Sequence, residues 1–135
     1  VLNFFDSAYN HLNDNGIFIF DFWYGPGVLT DLPTVRIKRM ENSKLKCTRI
    51  SEPSLFPQLN CVDVNFEIHI KEKNKPNTLI DKEKHRMRYF FDNEIKLFSK
   101  LKGFKVINIY EWLTLKNPTF KSWNSIAILK KIKND

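Results

Sequence analysis

At 135 residues the chain is long enough for one compact domain with a real core, since a domain of this size buries roughly two-thirds of the surface its unfolded chain exposes. A hydrophobic share of 42% with twelve Phe, three Trp and four Tyr excludes disorder, which needs low hydrophobicity and few aromatics. The net charge of +7 comes from seventeen Lys against five Arg spread along the chain, a poor match to a dedicated base reader, which leans on the bidentate guanidinium.

Leu2, Phe5, Tyr9 and Leu12 recur at spacings of three and four, which predicts a helix packed by that stripe and ending near Asn15-Gly16. Ile17-Phe18-Ile19-Phe20-Asp21-Phe22-Trp23 is apolar on both alternating faces, as expected of a buried parallel strand covered by helices on each side. Tyr24-Gly25-Pro26-Gly27 then breaks the strand into a loop. From Val35 to Phe91 the period falls to two, predicting antiparallel strands near 34–41, 45–52, 61–72 and 83–91, with turns at Glu41 to Lys44, Pro53 to Asn60 and Lys73 to Thr78. Asp92 can cap a helix whose inner stripe is Ile95, Phe98 and Leu101 and whose end is Gly103. Phe104 to Trp112 and Trp123 to Ile132 follow as strands, with Lys130-Lys131-Ile132-Lys133 as a solvated terminus.

No apolar run approaches the roughly 18 residues of a spanning helix, so no membrane partner is expected. Cys47 and Cys61 lack CxxC or His neighbours, and they read as unpaired thiols in a reduced, cytoplasmic setting. His11 and His69 have no ligand spacing to another His, Cys or carboxylate, and no metal is expected.

Ala8-Tyr9-Asn10-His11-Leu12 followed by Asn15-Gly16 and the strand 17–23 resembles the helix, turn and fifth strand of class I S-adenosylmethionine-dependent methyltransferases. His85-Arg86-Met87-Arg88-Tyr89-Phe90-Phe91, Glu94-Ile95 and Leu101-Lys102-Gly103-Phe104 resemble the approach to that family's last helix and sixth strand, and Glu111-Trp112-Leu113 with Ser122-Trp123-Asn124 its final loop and strand. The resemblance covers nearly the whole chain. It implies an α/β fold: a partial Rossmann-like methyltransferase sheet, its last three strands and flanking helices, with an inserted antiparallel β-sheet. Residues 1–33 would hold the helix, fifth strand and substrate-side loop, residues 34–91 the insertion, and residues 92–135 the last helix and strand hairpin, all in one partial domain.

The Gly-rich turn and the acidic residues of the family's cofactor site have no counterpart here, since Gly25-Pro26-Gly27 lacks the rest of a dinucleotide loop. The chain also enters its helix directly at Val1, which reads as a truncated start. A C-terminal fragment is therefore expected: S-adenosylmethionine serves the full-length parent, none binds the fragment, and the fragment alone is inactive.

Ligands of open α/β sheets bind beyond the carboxyl ends of the strands, so Trp23, Tyr24, Gly25 and Pro26 are the first substrate-site candidates; packing against the inserted sheet is the plainer alternative. Asp21, a carboxylate in an apolar strand, calls for a partner such as His85, Arg86 or Arg88, either as a structural ion pair or as an acid/base group. His85, Met87 and Tyr89 alternate with Arg86 and Arg88, so one of the two faces is expected to look into a pocket and His85, Arg86 and Arg88 are further substrate-site candidates; the two arginines suit a substrate carboxylate or phosphate unless they only face solvent.

The methyl acceptor is expected to be a small molecule. The apolar edge of strand 17–23, left without its neighbour, predicts a homodimer or larger assembly. Two other readings remain: a stand-alone β-rich ligand-binding module, and a basic nucleic-acid-binding protein, which the dispersed lysines make the weaker.

Overall fold

The structure, a computed structural model, describes residues 1–132; Lys133 lies outside the described residues. The chain divides into two compact units: residues 1–31 together with those from 89 onward, and Leu32–Arg88. In chain order the elements are α1 (Leu2–His11), β1 (Ile17–Tyr24), α2 (Gly25–Thr30), β2 (Arg36–Glu41), β3 (Leu45–Phe56), β4 (Cys61–Glu72), β5 (Thr78–Phe90), α3 (Asp92–Leu101), β6 (Phe104–Glu111) and β7 (Asn124–Lys131).

In the first unit β7 lies between β1 and β6 and is antiparallel to both. The period of two sends Phe18, Phe20, Phe22 and Tyr24 to one face of β1, where they join Phe5 of α1, Ile95 of α3, Phe104, Ile109, Ala127 and Leu129 in the core. Phe5 is 1% exposed, with rings from Phe18, Phe20, Phe98 and Phe104 within 6.3 Å of its centroid. Full burial of such a side chain stabilises by about 2–3 kcal/mol. Helices α1 and α3 pack on this one face.

The expectation that β1 is buried on both faces is therefore corrected. Its other face carries Ile17 and Ile19, 45% and 54% exposed, and an exposed Asp21, with Ile128 and Ile126 of β7 directly across the ladder. Nor is β1 flanked by parallel neighbours along its length. It pairs with β7 from Ile17 to Trp23, but on its other side only Trp23 and Tyr24 are paired, to Tyr89 and Phe90 of β5.

Helix α1 stops at His11, short of the expected Asn15-Gly16. Leu12 is already extended, and the Lys131 ammonium donates to the carbonyls of Tyr9 and Leu12 at 2.9 and 2.8 Å. A cation there satisfies terminal carbonyls and complements the helix dipole. Lys131 is thus a capping group rather than part of a solvated end, and β7 begins at Asn124 rather than Trp123. Strand β6 likewise stops at Glu111, not Trp112. Two stripe residues fall outside the core: Leu2 is 41% and Leu101 62% exposed, and Ser99 is the buried residue on the last turns of α3. Asp92 is the first residue inside α3 rather than its cap, and the Phe91 N–H donates to the Glu94 carboxylate at 3.1 Å.

The second unit is an antiparallel run of hairpins in the order β2, β3, β4, β5. The first turn follows from Asn42, whose side-chain oxygen accepts from the N–H groups of Lys44 and Leu45 at 2.9 and 2.8 Å. Strand β3 runs to Phe56 instead of ending at Glu52, so the expected turn from Pro53 shrinks to a short helical turn at Pro57–Leu59 with Asn60 in left-handed geometry. Pro53 is tolerated because β2 pairs only with residues 46–51. Beyond Ser51 that side of β3 is an edge, where no ladder donor is required. Strand β5 begins at Thr78, not at residue 83, its first half being too rich in charge to show the alternation.

Candidate functional site at the carboxyl end of the first strand

Because β1 and β6 are each antiparallel to β7, they run parallel to one another, and their carboxyl ends lie on the same side of the sheet. The register makes this concrete: Trp23 faces Asn124, and Glu111 faces Ser125. The parallel pairing of Tyr24 with Phe90 brings the end of β5, and with it the start of α3, to that same side. Four segments therefore meet there: the end of β1, the start of α2, the start of α3 and the connection 112–123.

Trp23, Tyr24, Gly25 and Pro26 are all at this place. The expected loop is instead the first turn of α2, which Pro26 can enter because the first turn of a helix has N–H groups without intrahelical partners. Tyr24 is buried, and its N–H donates to the Trp123 carbonyl at 2.9 Å. Trp23 and Trp123 meet edge to face with ring centroids 5.0 Å apart, and the Trp123 indole donates to the Asp31 carbonyl at 2.9 Å. The end of α2 is thus tied to the connection before β7.

The two glycines of this turn serve packing within the chain. A Cβ on Gly25 would lie 2.7 Å from the Phe91 ring, and one on Gly27 would lie 1.9 Å from the Ser122 carbonyl oxygen. Close approach to Phe91 and Ser122 within the chain accounts for both glycines.

Three further side chains belong to the cluster. The Ser122 hydroxyl, 2% exposed, donates to Glu111 at 3.1 Å and accepts from the Thr119 N–H at 3.0 Å. Asp92, half-buried, has one carboxylate oxygen shut off from water without a hydrogen bond among the described residues. Burial and then the negative charge of Asp92 push the Tyr24 phenol above its ordinary pKa. Sequence reading treated Asp92 only as a helix cap and Glu111, Ser122 and Trp123 only as loop or strand. Their convergence depends on pairings across nearly the whole chain, which no local spacing announces.

His85, Arg86 and Arg88 lie on β5 within the second unit. Arg86 makes a bidentate pair with Asp63, 2.6 Å from Nε to Oδ1 and 2.8 Å from NH2 to Oδ2, and Lys84 adds a third contact at 2.9 Å. Asp63 is 2% exposed. Hydrogen bonds from Arg86 and then Lys84 hold its carboxyl well below the usual carboxylate range. Arg86 also lies 5.7 Å from the Phe56 ring centroid. His85, on the opposite face, is exposed and lies 2.9 Å from Glu83. Arg88 is half-buried. The expected role of Asp21 is corrected: its carboxylate is exposed, while Arg86 pairs with Asp63 through Nε and NH2 and His85 Nε2 lies beside Glu83. Among the described residues no helix is long and apolar enough to cross a membrane, and no three His, Cys, Asp or Glu side chains gather as a metal site.

No family model and no curated protein matches the sequence. Solved structures do match. An S-adenosylmethionine-dependent methyltransferase from Clostridium acetobutylicum ATCC 824 superposes with a TM-score of 0.73 at 14% identity, over 98% of this chain and 51% of that one. The sugar N-methyltransferase KedS8 from Streptoalloteichus sp ATCC 53650 gives 0.71 at 9% identity, over 98% and 49%. SAM-bound CalS10, an amino pentose methyltransferase from Micromonospora echinaspora, gives 0.67 at 11% identity, over 94% and 48%. The chain has a methyltransferase-like α/β fold and spans about half the length of these structures.

Proposed function

We propose that this chain is the C-terminal, substrate-side half of an S-adenosylmethionine-dependent methyltransferase that acts on a small molecule in the cytoplasm. The observation that carries the reading is a fold match that takes in 98% of this chain but only 51% of the C. acetobutylicum enzyme. Two features of the first unit support it. Residues 17–22 of β1 lack a ladder partner on the β5 side among the described residues, and the face with Ile17 and Ile19 is exposed. A further parallel strand and its helix would satisfy both.

In this reading Trp23, Tyr24 and Pro26 border the methyl acceptor at the strand ends, and Gly25 lets the turn pack on Phe91. Residues 34–91 are the insertion of this reading, and Arg86 and Arg88 are its candidates for an anionic group of a substrate. Arg86 keeps donors beyond those used by Asp63, and the bidentate pair holds its guanidinium in one orientation. Positioning is the contribution available to this half, because methyl transfer depends on alignment of donor and acceptor. The cofactor is held by the other half, and the fragment alone is inactive. Without that half, the open edge of β1 pairs with a second copy, giving a homodimer.

Isothermal titration of S-adenosylmethionine and S-adenosylhomocysteine into this chain, and into a version extended by whatever coding sequence precedes Val1, tests the reading. Binding by the extended version alone is expected. Binding by the 135-residue chain would overturn the division of roles, and binding by neither would overturn the methyltransferase assignment.

A further inference from the structure

The connection 112–123 between β6 and β7 presents Trp112, Leu113, Leu115 and Phe120 at 40, 83, 84 and 59% exposure. Single exposed apolar residues are ordinary on protein surfaces. Four in one connection, two of them leucines almost entirely in water, are a concentration that marks a contact surface.

The exposure does not come from a loose loop. The Glu111 N–H donates to the Lys116 carbonyl at 2.9 Å, the Thr114 N–H to the Glu111 carbonyl at 3.1 Å, and the Trp112 N–H to the Asn124 carbonyl at 3.0 Å. The Thr114 hydroxyl accepts from the Lys116 N–H at 3.1 Å. Leu113 sits between these bonds at φ 57°, in the left-handed region that residues with a Cβ seldom adopt. A hydrogen-bonded frame therefore holds the leucines out.

Within the connection itself the charge has one sign, although the Glu111 carboxylate accepts from Ser122 at its base. Residues 112–123 contain Lys116 and Lys121 and no carboxylate. Asn117 and Pro118 share an open depression with Lys96 and Lys100 of α3, where Asp92 is the acidic side chain among the described lining residues. Exposed Trp112, Leu113, Leu115 and Phe120 in one connection with Lys116 and Lys121 are the composition of a bilayer-interface element, in which apolar side chains enter the acyl boundary and cations meet phosphates.

We infer that the connection 112–123 is a peripheral docking element for an anionic phospholipid surface. A second copy of the chain fits less well, since a symmetric contact would set these lysines against one another. Nucleic acid fits less well too, because base stacking uses aromatic faces and leaves Leu113 and Leu115 without a role. Apolar runs too short to span a bilayer say nothing about a connection that lies upon one.

The test is co-sedimentation of the 135-residue chain with phosphatidylcholine vesicles prepared with and without phosphatidylglycerol. Binding to the anionic vesicles, weakened by salt, is expected. The Leu113→Ser, Leu115→Ser double variant should weaken partitioning by roughly a hundredfold while its circular dichroism stays unchanged. Lys116→Glu with Lys121→Glu should remove the preference for phosphatidylglycerol, at roughly fivefold per lysine. Wild-type protein that stays in the supernatant, or leucine variants that sediment equally well, would overturn the inference. So would leucine variants that turn an oligomer into a monomer without changing lipid binding, which would make the connection a self-contact. Lipid binding needs no methyl donor and the titration above needs no lipid, so the two proposals fail separately.

Discussion

Replacing Gly27 by alanine tests how the strand-end cluster is assembled. The new Cβ would lie 1.9 Å from the Ser122 oxygen, 2.6 Å from its carbonyl carbon and 3.1 Å from the Trp123 nitrogen. Carbon to oxygen contacts settle at about 3.3 Å or more, so α2 and the connection must separate by about 1.4 Å. Both obstacles are backbone, and no flexible side chain is available to give way. Overpacking of this kind costs about 1–3 kcal/mol. The separation also strains the bonds from the Tyr24 N–H to the Trp123 carbonyl and from the Trp123 indole to the Asp31 carbonyl, each contributing about 1 kcal/mol. A total of about 3–5 kcal/mol lowers the Tm by roughly 10–18 °C at this chain length. Thermal unfolding followed by near-ultraviolet circular dichroism, to which the Trp23–Trp123 pair contributes, reads the change directly. Thr30→Ala, which loses only a hydroxyl contact to the Pro26 carbonyl, serves as the control and should melt close to wild type. A Gly27→Ala protein that melts within about 2 °C of wild type would refute the close approach and the assembly built on it.

Three further outcomes are expected. Asp63, whose carboxyl is depressed, contributes stability that is present above the usual carboxylate pKa of about 4 and is lost as the pH falls below it. The gap in stability between wild type and Asp63→Asn should therefore narrow on acidification below that value; denaturant titrations that give parallel pH profiles would count against the ion cluster. Trp123→Phe keeps the ring beside Trp23 but removes the donor to Asp31, and should cost about 1 kcal/mol in chemical denaturation; a loss near zero would mean the tie to α2 carries no load. If the open edge of β1 mediates self-association, Ile19→Lys, which places a charge beside an unpaired ladder, should yield monomers by light scattering. A wild type that is already monomeric would dispose of the homodimer.

Much of the architecture is local enough to be legible. The apolar run Ile17 to Trp23 announces a strand, the spacing of Leu2, Phe5, Tyr9 and Leu12 a helix, three of whose four stripe residues pack against it, and Glu41 to Lys44 a turn, because each depends on neighbours within a few residues. Strand β4 was readable to the residue, Cys61–Glu72, since its alternation is clean and turns bound it on both sides. Where a boundary depended on what lay alongside, the local signal misled. Pro53 looks like a strand breaker and is tolerated because β2 ends opposite Ser51. Gly25-Pro26-Gly27 looks like a loop and starts a helix because Phe91 and Ser122 occupy the places of the missing side chains.

The sequence by itself determined the strands, the two longer helices and the turn Trp23 to Pro26 as a place of interest, since periodicity and punctuation are properties of adjacent residues, and its resemblance to a family implied the class of the fold. The tertiary structure alone decided which charges pair and what surrounds that turn. Asp21 in an apolar strand looked as if it needed a partner, yet α1 and α3 pack on the opposite face and leave it in water. Asp63, with no such mark on it, is the buried carboxylate, met by Arg86 23 positions later. Trp123 reaches Asp31 across 92 positions. Burial and long-range pairing are set by the packing of elements remote in sequence, and a strand's own pattern does not say which of its faces will be covered.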